Sequence, residues 1–400
     1  MSDPFFRPLA ELCTSAIALI DPKRNPEREF WYVDISAVDN AGKRIASPQR
    51  IKGNAASVRA RQVIQTQDVL VATTRPNLNA VALVPEQYNG EVCSTGFCVI
   101  RANNELDPEY LFHYVQSHAF IERLVDLTKG ALYPAVTDKQ VFSQLIPWMH
   151  RDQQRQIATR LKAQLTEVET ARQAAESQLR DTRLLRSRLL KAIFAELDAT
   201  PRKKLGDCAR TTSGSTPARG NKHYWQPADI AWVKTGEVAF APITATEESI
   251  SKAALAECSL ALLPPKTILI AMYGQGKTRG QSAILEIPAT TNQACFAILP
   301  NATWEPDFLF LWLQSSYQDL RNLSENRGGN QANLNGGLLN ALEVPAPDAA
   351  VQAHMTQRVK AALAEVDAME TAAKAALHDI LQLPSRILAQ AFKPLESNHD

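Results

Sequence analysis

The sequence predicts a mixed α/β (α+β) chain. Two homologous domains of twisted β-sheet with helices are separated by two long helices packed as an antiparallel coiled coil. Three observations predict this. Residues 154–197 and 352–395 align without a gap at an offset of 198, with 17 of 44 positions identical, including Arg160 with Arg358 and Phe194 with Phe392. The same offset lays DPEYLFHYVQS (107–117) over EPDFLFLWLQS (305–315). Apolar runs of strand length also recur in the same order in both halves.

Taken in chain order, the first domain spans 1–148. Its strand-like runs are 30–35, 68–72, 80–84 and 97–100, followed by an amphipathic helix over 108–127 and the loop KGALYPAVT. Residues 149–200 form the central long helix. Ile157, Leu161, Leu165, Val168, Ala175, Leu179, Leu185, Leu189 and Ile193 recur there at spacings of three and four or their sums. That stripe is narrow and flanked by Arg, Lys, Glu and Gln, as a helix–helix seam is. The second domain, 201–347, repeats the layout with strands at 230–233, 267–271, 282–285 and 296–299, a helix over 306–323 and the loop RGGNQANLNGG. The second long helix and a short tail occupy 348–400. Its seam residues include Leu363, Val366 and Leu377, and its natural partner is the first helix. Each helix would run about 65 Å. Pro384, opposite Arg186, is expected to kink or break the second one.

Composition agrees with a globular protein of two to three domains: 400 residues, 45% hydrophobic, 21% charged. The N-terminal MSDPFFRPLAELCTSAIALIDPKR lacks a basic flank followed by an apolar core, so a secretory leader is not expected. No apolar run reaches the roughly 18 residues that a membrane span needs. Six cysteines form no CxxC pair and no zinc spacing, which reads as buried thiols in a reducing cytoplasm. Net charge is +1, but Lys43 to Arg61 holds six basic residues and no acidic one. Such a stripe suits a phosphate backbone or, equally, a solvated loop face.

A tandem pair gives one polypeptide an approximate internal two-fold, suited to reading two separated half-sites on a duplex. Because the halves differ in sequence, the half-sites would differ too. The stretches KKLGDCARTTSGSTPARGNKHYWQPADIAWVKTGEV (203–238), ILIAMYGQGKTRGQSAIL (268–285) and NQANLNGGLLNALEVPAP (330–347), running into a long helix, resemble the specificity (S) subunits of type I restriction-modification systems. The resemblance covers essentially the whole chain, the first half in worn form. It implies two target-recognition domains binding double-stranded DNA at an asymmetric bipartite target. It also implies paired helices that dock two modification subunits, adenine methyltransferases using S-adenosylmethionine. ATP-dependent restriction subunits, translocases and nucleases, would then join. The chain itself would be non-catalytic, with no cofactor or metal of its own. No Ser/His/Asp order, paired-carboxylate motif or NPPF-type motif is present.

Reading bases in the major groove needs Arg or Lys for guanine and Asn or Gln for adenine, on loops or helix ends. Candidates are Arg75, Asn77 and Asn79 in TTRPNLNA, and Gln275, Lys277, Thr278 and Arg279 in GQGKTR. Further candidates are Lys234 and Thr235, the glycine-loop residues Arg327, Asn330 and Gln331, and Arg59 and Arg61 of the basic stripe. Two other readings compete. AMYGQGKT has P-loop spacing, but RGQSAILEIPATT after it reads as a strand where a nucleotide cradle needs a helix. Paired heptads alone would also suit a scaffold or adaptor without DNA.

Overall fold

The computed structural model describes residues 5–14, 17–129, 134–274, 276–325 and 333–396. The chain divides into two compact units, Met1–Ser177 with Lys374–Asp400, and Gln178–Ala373. Both long helices, Arg151–Ala195 and Ala349–Glu396, therefore contribute to both units.

In the first unit, one four-stranded sheet has the order Gln49–Lys52, Glu29–Val33, Val92–Ser94, Ala60–Val63. A second has the order Cys13–Thr14, Phe97–Ala102, Val69–Ala72, Val81–Leu83. In the second unit, a five-stranded sheet runs Thr211–Ser213, Cys295–Ile298, Ile268–Ala271, Ser282–Leu285, Pro242–Ile243. Beside it, Ile230–Val233 pairs with Glu248–Ile250 and with Thr290–Thr291. The central strands Ile268–Ala271 and Cys295–Ile298 are buried at every position, so continuous apolar runs rather than alternation mark them.

The helices expected over 108–127 and 306–323 are each two. Pro108–Tyr114 is followed by His118–Asp126, and Pro306–Ser315 by Tyr317–Glu325. In the first pair, Ser117 accepts a hydrogen bond from Phe120 N and starts a new helix, a local capping preference that periodicity does not reveal.

A duplicated hydrogen-bond lock ties each sheet domain to the start of the helix that follows it. Gln154, fully buried, accepts from Asp107 N at 2.8 Å and donates to Glu105 O and Met149 O. Gln352, 198 positions later, accepts from Glu305 N at 2.8 Å and donates to Thr303 O and Pro347 O. Lys162 pairs with Glu109 and Lys360 with Asp307 at the same offset. Gln352→Ala is expected to cost about 1–2 kcal/mol, because it removes the side-chain partner of Glu305 N, Thr303 O and Pro347 O. Urea unfolding followed by Trp304 fluorescence checks it, and an unchanged midpoint would contradict the lock.

Within each unit the long helices meet antiparallel. Ala158 and Leu161, with Ile157 and Leu165 beside them, share a core with Leu388 and Phe392. Leu190, Phe194 and Leu197 share another with Met355, Val359 and Leu363. Val366 is buried, and Val168, Leu179 and Leu377 are half-buried on their helices. Leu185, placed in the seam by spacing, is 39% exposed, and Thr182 takes the buried position instead. The second helix runs unbroken through Pro384. Loss of one backbone bond there, about 3 kcal/mol in an isolated helix, is offset by the packing of Ile387, Leu388, Ala391 and Phe392 just beyond it.

Candidate nucleic-acid interface

Strand direction gathers the loops of the second unit at one edge of its main sheet. Strand 268–271 ends there and antiparallel strand 295–298 begins there. Strand 211–213 ends at the same edge because it runs antiparallel to 295–298. The loop after strand 230–233 joins them, since Asn292 N donates to Val233 O and Thr235 Oγ1 donates to Asn292 Oδ1 at 2.9 Å. One surface therefore carries segments 213–219, 234–237, 272–274, 276–280 and 291–294.

The GQGKTR segment is the tip of a hairpin: Ile268–Ala271 pairs antiparallel with Ser282–Leu285, and Gly280 N donates to Ala271 O. A strand stands where a P-loop needs a helix. Gly274 has φ +135° and lies where a Cβ would stand 2.8 Å from Thr278 Cβ, so the turn requires glycine. Helix Tyr317–Glu325 clamps the tip: Tyr317 Oη donates to Lys277 O at 2.6 Å, and Arg321 donates to Gly276 O at 2.6 Å and to Arg279 O at 3.3 Å. With its carbonyl held, Lys277 exposes its ammonium, and Thr278 is half-buried. Arg279 was expected at the tip, but it is only 8% exposed and turns into the domain. Gln275, Arg327, Asn330 and Gln331 lie outside the described residues.

Two further candidates in this unit have internal partners. Lys234 Nζ reaches Glu247 at 2.6 Å and Glu248 at 3.1 Å, and these carboxylates raise its pKa. Thr235 holds Asn292, as above. Both are half-buried.

The first unit builds a similar edge. Thr73, at the end of strand 69–72, donates through N and Oγ1 to Gly96 O, just before strand 97–102. Thr95 N donates to Arg59 O, bringing Arg59 to the same place. Arg75 and Asn77 are exposed, and Arg75 N donates to Pro134 O at 2.8 Å. Asn79 is structural: it sits in left-handed conformation, donates to Gln116 O at 3.0 Å, and its own carbonyl accepts from Lys43 Nζ at 2.5 Å. Burial holds that ammonium down to about 8.

The basic stripe is largely spoken for. Arg44 pairs with Asp39, Arg50 with Glu29, Lys52 with Glu27 and Arg61 with Asp21, all partners from outside the 43–61 window. Local charge counting could not see them. Arg59 is the stripe cation whose exposed side chain carries no ion pair among the described residues. Tyr317 and Arg321 left no signal in the sequence, since nothing local links a helix to a hairpin 40 positions earlier.

Among the described residues no group of three or more His, Cys, Asp and Glu could hold a metal, and no helix is long and apolar enough to cross a membrane. All six cysteines are free. Burial pushes the thiols of Cys13 and Cys295 up to about 12 and those of Cys93 and Cys98 well up, so all four are poor nucleophiles.

A family model, the type I restriction modification DNA specificity domain, matches residues 201–378. The specificity subunit of the type I restriction enzyme MjaIX of Methanocaldococcus jannaschii is 30% identical over 148 residues, 36% of this chain and 33% of that protein. The chain thus aligns with about a third of the length of the curated relatives it matches. Solved structures match more widely. A chain from a structure on complex assembly and conformational transition of the type I R-M system is 28% identical, with a TM-score of 0.81 and 98% of both chains covered. The crystal structure of the HsdS subunit from Thermoanaerobacter tengcongensis is 27% identical, with a TM-score of 0.62, 98% of this chain and 97% of that chain covered. The family model thus covers the second domain with much of the helix that follows it, and over nearly its whole length the chain resembles solved type I restriction-modification specificity subunits.

Proposed function

We propose that the chain is the non-catalytic DNA-specificity subunit of a cytoplasmic type I restriction-modification complex. Each sheet domain reads one half of an asymmetric bipartite duplex. The long helices dock two adenine-methylating modification subunits, which hold S-adenosylmethionine, and restriction subunits join that assembly. The observation that carries the reading is the duplicated loop-bearing edge. It presents Arg59, Arg75 and Asn77 in one unit and Lys277 in the other, while neighbouring polar groups brace the loops internally. Cations and amides on braced loops at a sheet edge suit phosphate positioning and base reading.

The test uses the chain assembled with the modification subunits of its host. The complex is expected to retard a bipartite duplex and to protect two short tracts. Lys277→Ala is expected to weaken binding and lower the slope of log K against log salt by about 1, the signature of one lost phosphate contact. Arg279→Ala is expected to relax the same half-site by loosening the loop. Uniform, sequence-independent protection, or no binding, would refute the reading and favour a scaffold without DNA.

A further inference from the structure

The side chain of Gln293 is exposed on the loop-bearing edge of the second unit and lies outside the basic and glycine-rich segments that mark the surface in sequence. Four hydrogen bonds fix the loop around it. Asn292 N donates to Val233 O, Asn292 Oδ1 accepts from Thr235 Oγ1 and Ala294 N, and Ala294 O accepts from Met272 N. The side-chain amide is fixed as well, because Thr216 Oγ1 donates to Gln293 Oε1.

Thr216 sits in a segment with little freedom. Ser215 N donates to Thr291 O at 3.0 Å, Trp232 Nε1 donates to Ser215 O at 3.1 Å, and Pro217 is buried. A Cβ on Gly214 would stand 1.8 Å from Thr291 O, so only glycine brings the two backbones this close. An exposed glutamine ordinarily samples many rotamers. This one is held by a partner that is itself held, which removes ordering cost from any ligand it meets.

We propose that Gln293, oriented by Thr216, reads an adenine in the major groove of the half-site bound by the second domain. The inference rests on the DNA-specificity reading above. As placed, Oε1 accepts from the hydroxyl of Thr216 through one lone pair. The second lone pair accepts from adenine N6–H, and Nε2–H donates to adenine N7. Guanine offers acceptors at both O6 and N7, so Oε1 would face an acceptor, and discrimination follows. At the 198-residue offset the first domain has Thr95, which cannot form this two-bond pair. The two domains thus differ in reading chemistry at one matched position.

The test starts from the bipartite motif that the wild-type complex selects from random duplexes. Each adenine of the second half-site is replaced in turn by 7-deazaadenine, which lacks the N7 acceptor. At one position the replacement is expected to weaken wild-type binding about 5- to 100-fold. Gln293→Ala is expected to weaken the parent duplex similarly and to be indifferent to 7-deazaadenine at that position alone. Gln293→Glu, an acceptor only, is expected to shift preference there toward cytosine, whose N4 amine donates. Thr216→Val, which keeps the shape and loses the hydroxyl, is expected to give an intermediate loss with the same positional signature. If Gln293→Ala keeps the wild-type pattern of 7-deazaadenine sensitivity, the assignment is overturned while the DNA-specificity reading stands. If the wild-type complex selects no motif, both fall.

Discussion

Phe392→Ala is expected to destabilise the first unit by about 3–5 kcal/mol. Phe392 is 1% exposed and stands edge-on to Tyr110 at 5.7 Å and Tyr114 at 5.2 Å between ring centroids. Tyr110 and Tyr114 donate to Pro147 O and Leu145 O, so the rings cannot slide to fill the hole. The loss therefore combines lost burial with a retained cavity. Phe194, 198 positions earlier, is the mirror case: its ring packs edge-on to Phe308 in the second unit at 5.7 Å. Amide hydrogen exchange distinguishes the two substitutions. Phe392→Ala should lower protection of strand Phe97–Ala102 and spare Cys295–Ile298, and Phe194→Ala should do the reverse. Equal loss in both sheets would contradict this assignment of the helix ends.

Acid is expected to destabilise the first unit through His113. The residue is 4% exposed, and burial holds its pKa down to about 4 despite the opposing pull of Glu109 and Asp107. Lys162 pushes in the same direction as burial. In the unfolded chain the imidazole titrates near its ordinary value of 6.5. Above that pH both states are neutral. Below it only the unfolded state gains a proton, so stability falls until the folded imidazole also titrates near pH 4. The interval amounts to about 3 kcal/mol. The second unit has Leu311 at the matched position, likewise buried. His113→Leu is therefore expected to flatten stability between pH 6.5 and 4, measured as thermal midpoints of the first unit. An unchanged slope would mean that other groups carry the acid response.

The strands were legible because buried strands of this length are written as unbroken Val, Ile, Leu and Ala runs, as at 69–72 and 268–271. The long helices were legible from their seams, and the duplication from a single constant offset. The candidate surface was legible only in part. Exposed Lys277, Arg75 and Asn77 sit where loop chemistry placed them. Asn79, Thr235 and Lys234 have the same residue types but bond to internal partners, and Arg279 is buried. Residue type says what a side chain can bond to, and only the fold says whether a nearer partner has already taken it. The basic stripe shows this most clearly, since Asp39, Glu29, Glu27 and Asp21 meet four of its cations from segments outside it.

By itself the sequence determined that there are two copies of one unit, where the longer apolar strands lie, that a long helix follows each copy, and which family the chain resembles. Those properties follow from local periodicity and from repetition, both of which survive in one dimension. Tertiary structure decided that the end of each long helix completes a core other than that of the domain preceding it. It also decided that a helix ring and guanidinium clamp the glycine-rich tip, and that the exposed amide of Gln293 meets the hydroxyl of Thr216. These are contacts between residues tens to hundreds of positions apart, set by strand order and helix direction, and no local pattern encodes them.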